Sequence, residues 1–172
     1  METVPLTGTA PTEGFTELYE RTFPRVYAYV ASLLRDRAAA EDVTALAFER
    51  AYRKRLSFRA RRGTAEAWMF GIARNAALDE LRKRKRSAAL AAEPEDAAPG
   101  PDEEMDRALR RAAVRTALAG LPPRDRELIA LKFHAGLDNA EIAAVLGVSA
   151  SNAGTRLHRA LTKLREMLDD QS

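Results

Sequence analysis

Apolar residues in this chain recur in steps of three and four. Nowhere do they alternate as a half-buried strand requires, so the pattern predicts an all-α protein. Between Phe15 and Leu34 they fall at Phe15, Leu18, Tyr19, Phe23, Val26, Tyr27, Val30, Leu33 and Leu34. Pro24 is expected to kink that helix or to begin a new one. Arg35 to Ala40 reads as a brief connection, and AEDVTALAFERAYRKRL as a helix from about 41 to 55 that starts acidic and ends basic, as the helix dipole favours. SFRARRG interrupts the pattern as a basic loop. Thr64 can then cap a long helix reaching Arg86, with Trp68, Met69, Ile72, Ala73, Ala76 and Leu81 as its apolar contacts and Asn75, Asp79, Arg82 and Arg86 along a polar stripe. These helices, residues 14–86, would bury one another as a first small domain behind a disordered lead, residues 1–13.

Ser87 to Asp106 carries three prolines, one glycine and seven acids with no basic residue, and reads as an acidic flexible linker. A second small domain, residues 107–172, follows. Its first helix runs from about Arg107 to Ala119 and stops at Gly120. Pro122 and Pro123 open the next, in which Leu128, Ile129, Leu131, Lys132 and Phe133 lead to a stop at Gly136. Asp138 can cap a third helix, with Glu141 at the spacing of a capping box and Ile142, Val145 and Leu146 as its buried stripe. Gly147 ends it and Val148 plugs the turn. Ser149 can cap a final helix on which Ala153, Leu157, Ala160, Leu161 and Leu164 recur, leaving Ser151, Asn152, Thr155, Arg156, Arg159 and Lys163 on the other faces. The result is a helix-turn-helix with a basic, hydrogen-bonding second helix. An ordinary helical hairpin with solvated arginines has the same hydrophobic spacing; the short turn, the polar outer face and the upstream basic helix tilt the reading to DNA binding.

Charge distribution sharpens this. The formal net charge is only +3, but Arg50 to Arg86 holds 13 Lys/Arg against 3 Asp/Glu, immediately before the acidic stretch. That split suits a protein touching a polyanion with one part and a cationic surface with another. The run Arg82 to Arg86 suits phosphate contacts or a solubilising helix end equally. Phe58 and Trp68 could stack on an unpaired base, although core packing is the commoner fate of a single Trp at a helical core position.

Other classes fall away. No segment is long and apolar enough to span a membrane, and METVPLTGTAPTEG lacks the basic and apolar regions of a signal peptide, so a cytoplasmic protein with no membrane insertion is expected. There is no cysteine, and His134 and His158 lie too far apart in sequence to suggest a metal site. The chain has no glycine-rich phosphate loop, nucleophile elbow or His-carboxylate cluster, which argues against catalysis and against a cofactor.

Taken together, AEDVTALAFERAY, SFRARRGTAEAWMFGIARNAALDELRKRKR and LAGLPPRDRELIALKFHAGLDNAEIAAVLGVS followed by TRLHRAL, in that order around a short linker, resemble the extracytoplasmic-function group of bacterial sigma-70 factors. The resemblance implies two helical domains, region 2 and region 4, that bind core RNA polymerase and place it on promoter DNA. It covers about 150 residues, leaves no counterpart of region 1.1 or of a folded region 3, and implies no extra C-terminal domain. On it, Asp42, Val43, Phe48, Ala51 and Tyr52 match the polymerase-docking motif of region 2. Arg59, Arg61, Arg62 and Thr64 sit where the family captures a flipped base of the −10 element, with Asn75, Asp79 and Arg82 beside them. Leu121 to Arg124 and Glu127 open region 4, whose −35 recognition helix carries Ser151, Asn152, Thr155, Arg156, His158, Arg159 and Lys163.

Departures stand beside the matches. Ala45 and Leu46 replace the polar and acidic residues usual in the docking motif. Gly154 lacks the basic side chain that often contacts the −35 element, which shifts base reading to Ser151, Asn152 or Thr155. The linker fits the family picture of a strand threading polymerase's positively lined channels, and a plain tether fits as well. An anti-sigma factor is the further partner the resemblance implies. A helix-turn-helix regulator working without core polymerase is the alternative function, and an RNA-binding or polymerase-regulating adaptor a third.

Overall fold

The structure, a computed structural model, describes residues 11–87 and 104–170. Among these residues the chain forms seven helices: α1 (Pro11–Leu34), α2 (Arg37–Arg53), α3 (Ala65–Arg86), α4 (Met105–Gly120), α5 (Pro123–Phe133), α6 (Asn139–Leu146) and α7 (Ala150–Asp169). Two 3-10 turns, Arg55–Ser57 and Ala60–Arg62, lie between α2 and α3. The class is the all-α one expected. Most of the stretch read as an acidic linker, residues 88–103, lies outside the described residues.

Several boundaries move for local reasons. α1 already includes residues 11–13, part of the stretch read as a disordered lead. It continues through Pro24 instead of ending there. Pro24 and Glu20 are both exposed, so water can satisfy the Glu20 carbonyl that loses its helical donor. The connection expected to reach Ala40 shrinks to two residues. Arg35 turns the chain with φ 52°, its N–H donating to the Ala31 carbonyl, and the Asp36 carboxylate accepts from the Ala39 amide at 3.1 Å to cap α2. At the other end of the gap, α4 starts at Met105, two residues before the expected Arg107, because the Glu104 carbonyl already accepts from the Arg107 and Ala108 amides.

Helices α1, α2 and α3 pack on one another, with Leu18, Val26, Tyr29, Val30, Met69 and Phe70 buried between them. The faces that α2 and α3 bury are largely alanine: Ala40, Ala47 and Ala51 on one, Ala73, Ala76 and Ala77 on the other. Small side chains let the two backbones approach closely, which is how a core with so few aromatics stays dense. Arg84 closes the end of this bundle, donating to the Leu34 carbonyl, Asp36 and Glu80. One arginine of the basic run is therefore structural. In the second group, α7 packs against α4, α5 and α6 around Leu128, Leu131, Leu137, Ile142 and Leu157.

The two groups meet along a seam where α3 lies on α6 and α1 touches α5, and their buried residues form one continuous apolar cluster. Polar contacts fasten the seam. Glu127 of α5, 8% exposed, accepts from the Tyr29 hydroxyl at 3.1 Å and from Arg74 Nε at 2.5 Å. Arg25 Nε donates to the Ala135 carbonyl at 2.8 Å, and the Thr64 hydroxyl donates to Glu141 at 3.1 Å. Burial, and then the charge of Glu127, raise the Tyr29 pKa well above its ordinary value, so the hydroxyl remains a donor. Burial opposes the charge on Arg74, but the hydrogen bond and charge of Glu127 outweigh it and raise the guanidinium pKa.

Glu66, in the first turn of α3, binds Arg21 at 2.9 Å and Arg25 at 2.8 Å. Partial burial pushes its carboxyl pKa up, yet the hydrogen bonds and charges of Arg25 and Arg21 prevail and hold it below 4.5. A carboxylate depressed in the folded state contributes stability that is present above 4.5 and is lost as pH falls through the folded value. Glu66→Gln should therefore lower stability at neutral pH by about 1 kcal/mol. In thermal unfolding, the gap from the parent chain should close below pH 4.5. A gap independent of pH would mean that the loss came from packing.

Candidate nucleic-acid interface

The helix-turn-helix forms from its own local signals. Asp138 accepts from the Glu141 amide at 2.8 Å while Glu141 accepts from the Asp138 amide at 3.0 Å, so two otherwise orphaned donors are satisfied at the start of α6. Gly147 ends α6 at φ 69°, ψ 36°, a left-handed conformation in which a side chain would be strained. The Ser149 hydroxyl then accepts from the Asn152 amide at 3.1 Å to start α7. α7 buries Ala153, Leu157 and Ala160. Ser151, Asn152, Thr155, His158, Arg159 and Lys163 lie exposed on it, and Arg156 is half-buried. Lys163 is engaged, donating to Asp125 of α5 at 2.7 Å.

The basic loop is more constrained than its composition suggests. Phe58 is buried with its ring edge-on to Trp68 at 5.7 Å, so Phe58 is a core residue here and offers no face to a base; Trp68 is half-buried beside it. Arg59 donates to the Leu56 and Phe58 carbonyls, bracing the loop from within. Arg61 and Arg62 point outward, and Gly63 follows at φ 137°, which excludes a side chain without strain. Thr64 accepts from the Ala67 amide to cap α3 and spends its own proton on Glu141, so it is committed to structure at both ends. Along α3, Asn75, Asp79 and Arg82 are exposed, and Asp79 pairs with both Arg50 and Arg82.

On α2 the expected docking residues divide. Asp42 and Tyr52 are exposed, whereas Val43, Phe48 and Ala51 are buried and hold the helix in place. The exposed surface beside them is aromatic. Tyr19 and Phe23 of α1 contact the Phe48 ring at 4.8 and 5.8 Å between centroids, Phe15 meets Tyr52 at 5.3 Å, and Arg55 stacks over Tyr52 at 3.9 Å. In the sequence alone Tyr19 and Phe23 are ordinary members of the apolar stripe. Their four-residue spacing marked a helix face but could not show that the face stays partly open. No local signal marks Arg25, Tyr29 and Arg74, which fasten the seam through partners far along the chain.

Comparison with known proteins accounts for both groups of helices. The Sigma-70 region 2 family matches residues 18–87, and Sigma-70, region 4 matches residues 111–164. RNA polymerase sigma factor CarQ of Myxococcus xanthus is 36% identical over 162 residues, covering 92% of this chain and 91% of that protein. ECF RNA polymerase sigma factor RpoE of Cereibacter sphaeroides is 33% identical, covering 88% and 84%. The chain belongs to the extracytoplasmic-function group of the sigma-70 family. Among solved structures, the sigma factor RpoE in complex with the anti-sigma factor NepR from Bartonella quintana matches with a TM-score of 0.75 and 27% identity, over 91% of this chain and 98% of that one. CnrH in complex with the cytosolic domain of CnrY matches with a TM-score of 0.69 and 26% identity, over 94% and 91%.

In this sigma factor, then, α1 to α3 form region 2, and the matched region 4 begins within α4 and takes in α5, α6 and most of α7. Gly154, in region 4, has a specific neighbour: a Cβ there would lie 3.2 Å from the side-chain nitrogen of Asn139, the first residue of α6. Asn139 is exposed and can swing aside. Gly154→Ala should therefore stabilise region 4 by up to about 1 kcal/mol through helix propensity alone. Thermal unfolding checks this; a lower midpoint would mean that the Asn139 side chain is fixed in place.

Proposed function

We propose that this sigma factor divides its work between the two regions. Region 2, residues 14–86, docks on core RNA polymerase through Asp42, Tyr52 and the adjoining Tyr19–Phe23 surface. It also engages the opened −10 element through Arg59, Arg61 and Arg62 with Asn75, Asp79 and Arg82, while Thr64, at the family's position for that contact, holds the loop to α3 and α6. Region 4, residues 107–172, reads the duplex −35 element through Ser151, Asn152, Thr155, Arg156, His158, Arg159 and Lys163, and residues 87–106 act as the linker. The observation that carries this reading is the presence, in one chain, of a region 2 match with a basic loop and a region 4 match whose second helix turns its hydrogen-bonding side chains outward. A regulator acting without polymerase would need only the second. The physics of the two targets differs in the same way: a duplex is read by a helix in the major groove, whereas promoter opening requires an unstacked base to be held. In this reading the chain is a specificity subunit of a cytoplasmic enzyme and catalyses nothing itself. No described helix is long and apolar enough to cross a membrane. An anti-sigma protein is a further partner, since the structurally similar RpoE of Bartonella quintana was captured with one.

Purified chain mixed with core RNA polymerase should bind it and direct start-site-specific transcription from some genomic fragment; failure of both ends the proposal. Tyr19→Ala or Tyr52→Ala should weaken core binding with helicity intact. Phe48→Ala is the poorer probe, because truncating a buried Phe costs about 3–5 kcal/mol. On DNA, Arg159→Ala should reduce duplex −35 affinity by about 1–3 kcal/mol if it reads a base. Arg61→Ala with Arg62→Ala should spare that affinity and impair opening, with a premelted −10 bubble restoring part of the activity. Loss of duplex binding in the loop variants would reverse the assignment.

A further inference from the structure

Three arginines from three helices line one small cleft. Its volume is about 210 Å³, and its walls are Arg74 of α3, Arg124 and Glu127 of α5, Leu146 of α6 and Arg156 of α7. Glu127 is the one carboxylate among these residues, and its oxygens are already engaged. Oε1 accepts from the Tyr29 hydroxyl and from Arg74 Nε, and Oε2 from Arg74 Nη2 at 3.5 Å. Arg124 stands one helical turn before Glu127 yet forms no ion pair with it, and neither Arg124 nor Arg156 finds a side-chain acceptor among the described residues. Asp125, the next residue along, is taken by Lys163. The cleft therefore gathers three positive charges against one negative beside an apolar wall. Like charges held together in this way repel, and an anion between them removes that cost.

We propose that this cleft is a binding site for a small oxyanion of the phosphate class, held by Arg124 and Arg156 with Arg74, already paired to Glu127, as its third side. The donor set suits such a guest. A guanidinium is a planar fork of N–H groups that can pair two oxygens at once, is weakly hydrated, and stays charged throughout the physiological range. Forks from three directions match the several oxygens of a tetrahedral anion. The volume sets an upper limit on size. Sites for drug-sized ligands run from about 300 to 1,000 Å³, so this one takes a free oxyanion or the end of a phosphate chain whose remainder stays outside. The three arginines lie far apart in the sequence and meet only when the chain is folded, so an anion bound here stabilises the fold by mass action. Arg156 alone is shared with the −35 face of the proposed function, and the anion site holds whether or not that reading does.

The test titrates the full chain with sodium phosphate at constant ionic strength, made up with sodium chloride, and follows thermal unfolding together with the arginine Nε–H resonances by NMR. Phosphate should raise the unfolding midpoint above the chloride baseline, sulfate should do the same, and the Arg124 and Arg156 resonances should shift to saturation. Arg124→Ala, with Arg124→Gln as a second variant, should weaken phosphate binding about tenfold or more, because a charge-assisted pairing is lost. Helicity should be unchanged in both, since Arg124 is exposed and its side chain holds no other group. Arg110→Ala removes an equal charge from the exposed surface of α4 and should leave binding as it was. ADP in place of phosphate separates the two sources of the anion: tighter binding than inorganic phosphate assigns the site to a nucleotide's terminal phosphate, and equal or weaker binding assigns it to the free anion. A midpoint that follows ionic strength alone, or an Arg124→Ala chain that binds phosphate as the parent does, would mean an adventitious ion only and overturn the site. Neither polymerase nor promoter DNA enters these measurements, so failure of the site leaves the sigma function standing.

Discussion

A carboxylate buried at a junction of three helices sets the arrangement of this molecule. Glu127 leaves water where α5 meets α1 and the Arg74 side chain of α3, and a charge in that setting has to find donors or be expelled. Tyr29 and Arg74 supply them from two different helices. The pair adds little net stability, because desolvation offsets most of its attraction. Its effect is directional: Glu127 is satisfied where the Tyr29 hydroxyl and the Arg74 guanidinium reach it together. The apolar cluster shared across the seam stabilises contact between the regions without choosing an orientation, and the polar contacts choose it.

Cationic side chains divide between structure and recognition according to geometry. Arg25 and Arg84 each reach two residues on other elements and Arg74 reaches both carboxylate oxygens of Glu127, using the planar fork of the guanidinium to join helices. Arg61, Arg62 and Arg159 stand exposed, where an extended hydrated charge can meet a phosphate. The excess positive charge of region 2 is therefore only partly available to nucleic acid. Arg84 lies within the most basic run of the chain and is spent on the corner between α1 and α2. The aromatic residues divide too: Tyr29, Phe58 and Phe70 are inside, while Tyr19, Phe23 and Tyr52 remain part-open around Phe48.

What the sequence determined by itself was what neighbouring residues decide among themselves. The start of α6 at Asp138, its end at Gly147 and the start of α7 at Ser149 all follow from groups three or four residues apart, whose hydrogen bonds form as the helix forms. The same locality explains the recognisable motifs of regions 2 and 4. Asp36 capping α2 is local information of the same kind, three residues from its donor. The tertiary structure decided what depends on distant partners. Tyr29 and Glu127 are 98 positions apart and Arg74 and Glu127 are 53, and no periodicity links them. Burial of Phe58, the commitment of Thr64 to Glu141 and the half-burial of Arg156 near Arg74 and Glu127 depend likewise on which helices meet. Hydrophobic spacing says that a helix face will be covered; only the packed chain settles which surface covers it, because apolar burial is non-directional and the few long-range polar contacts select among the alternatives.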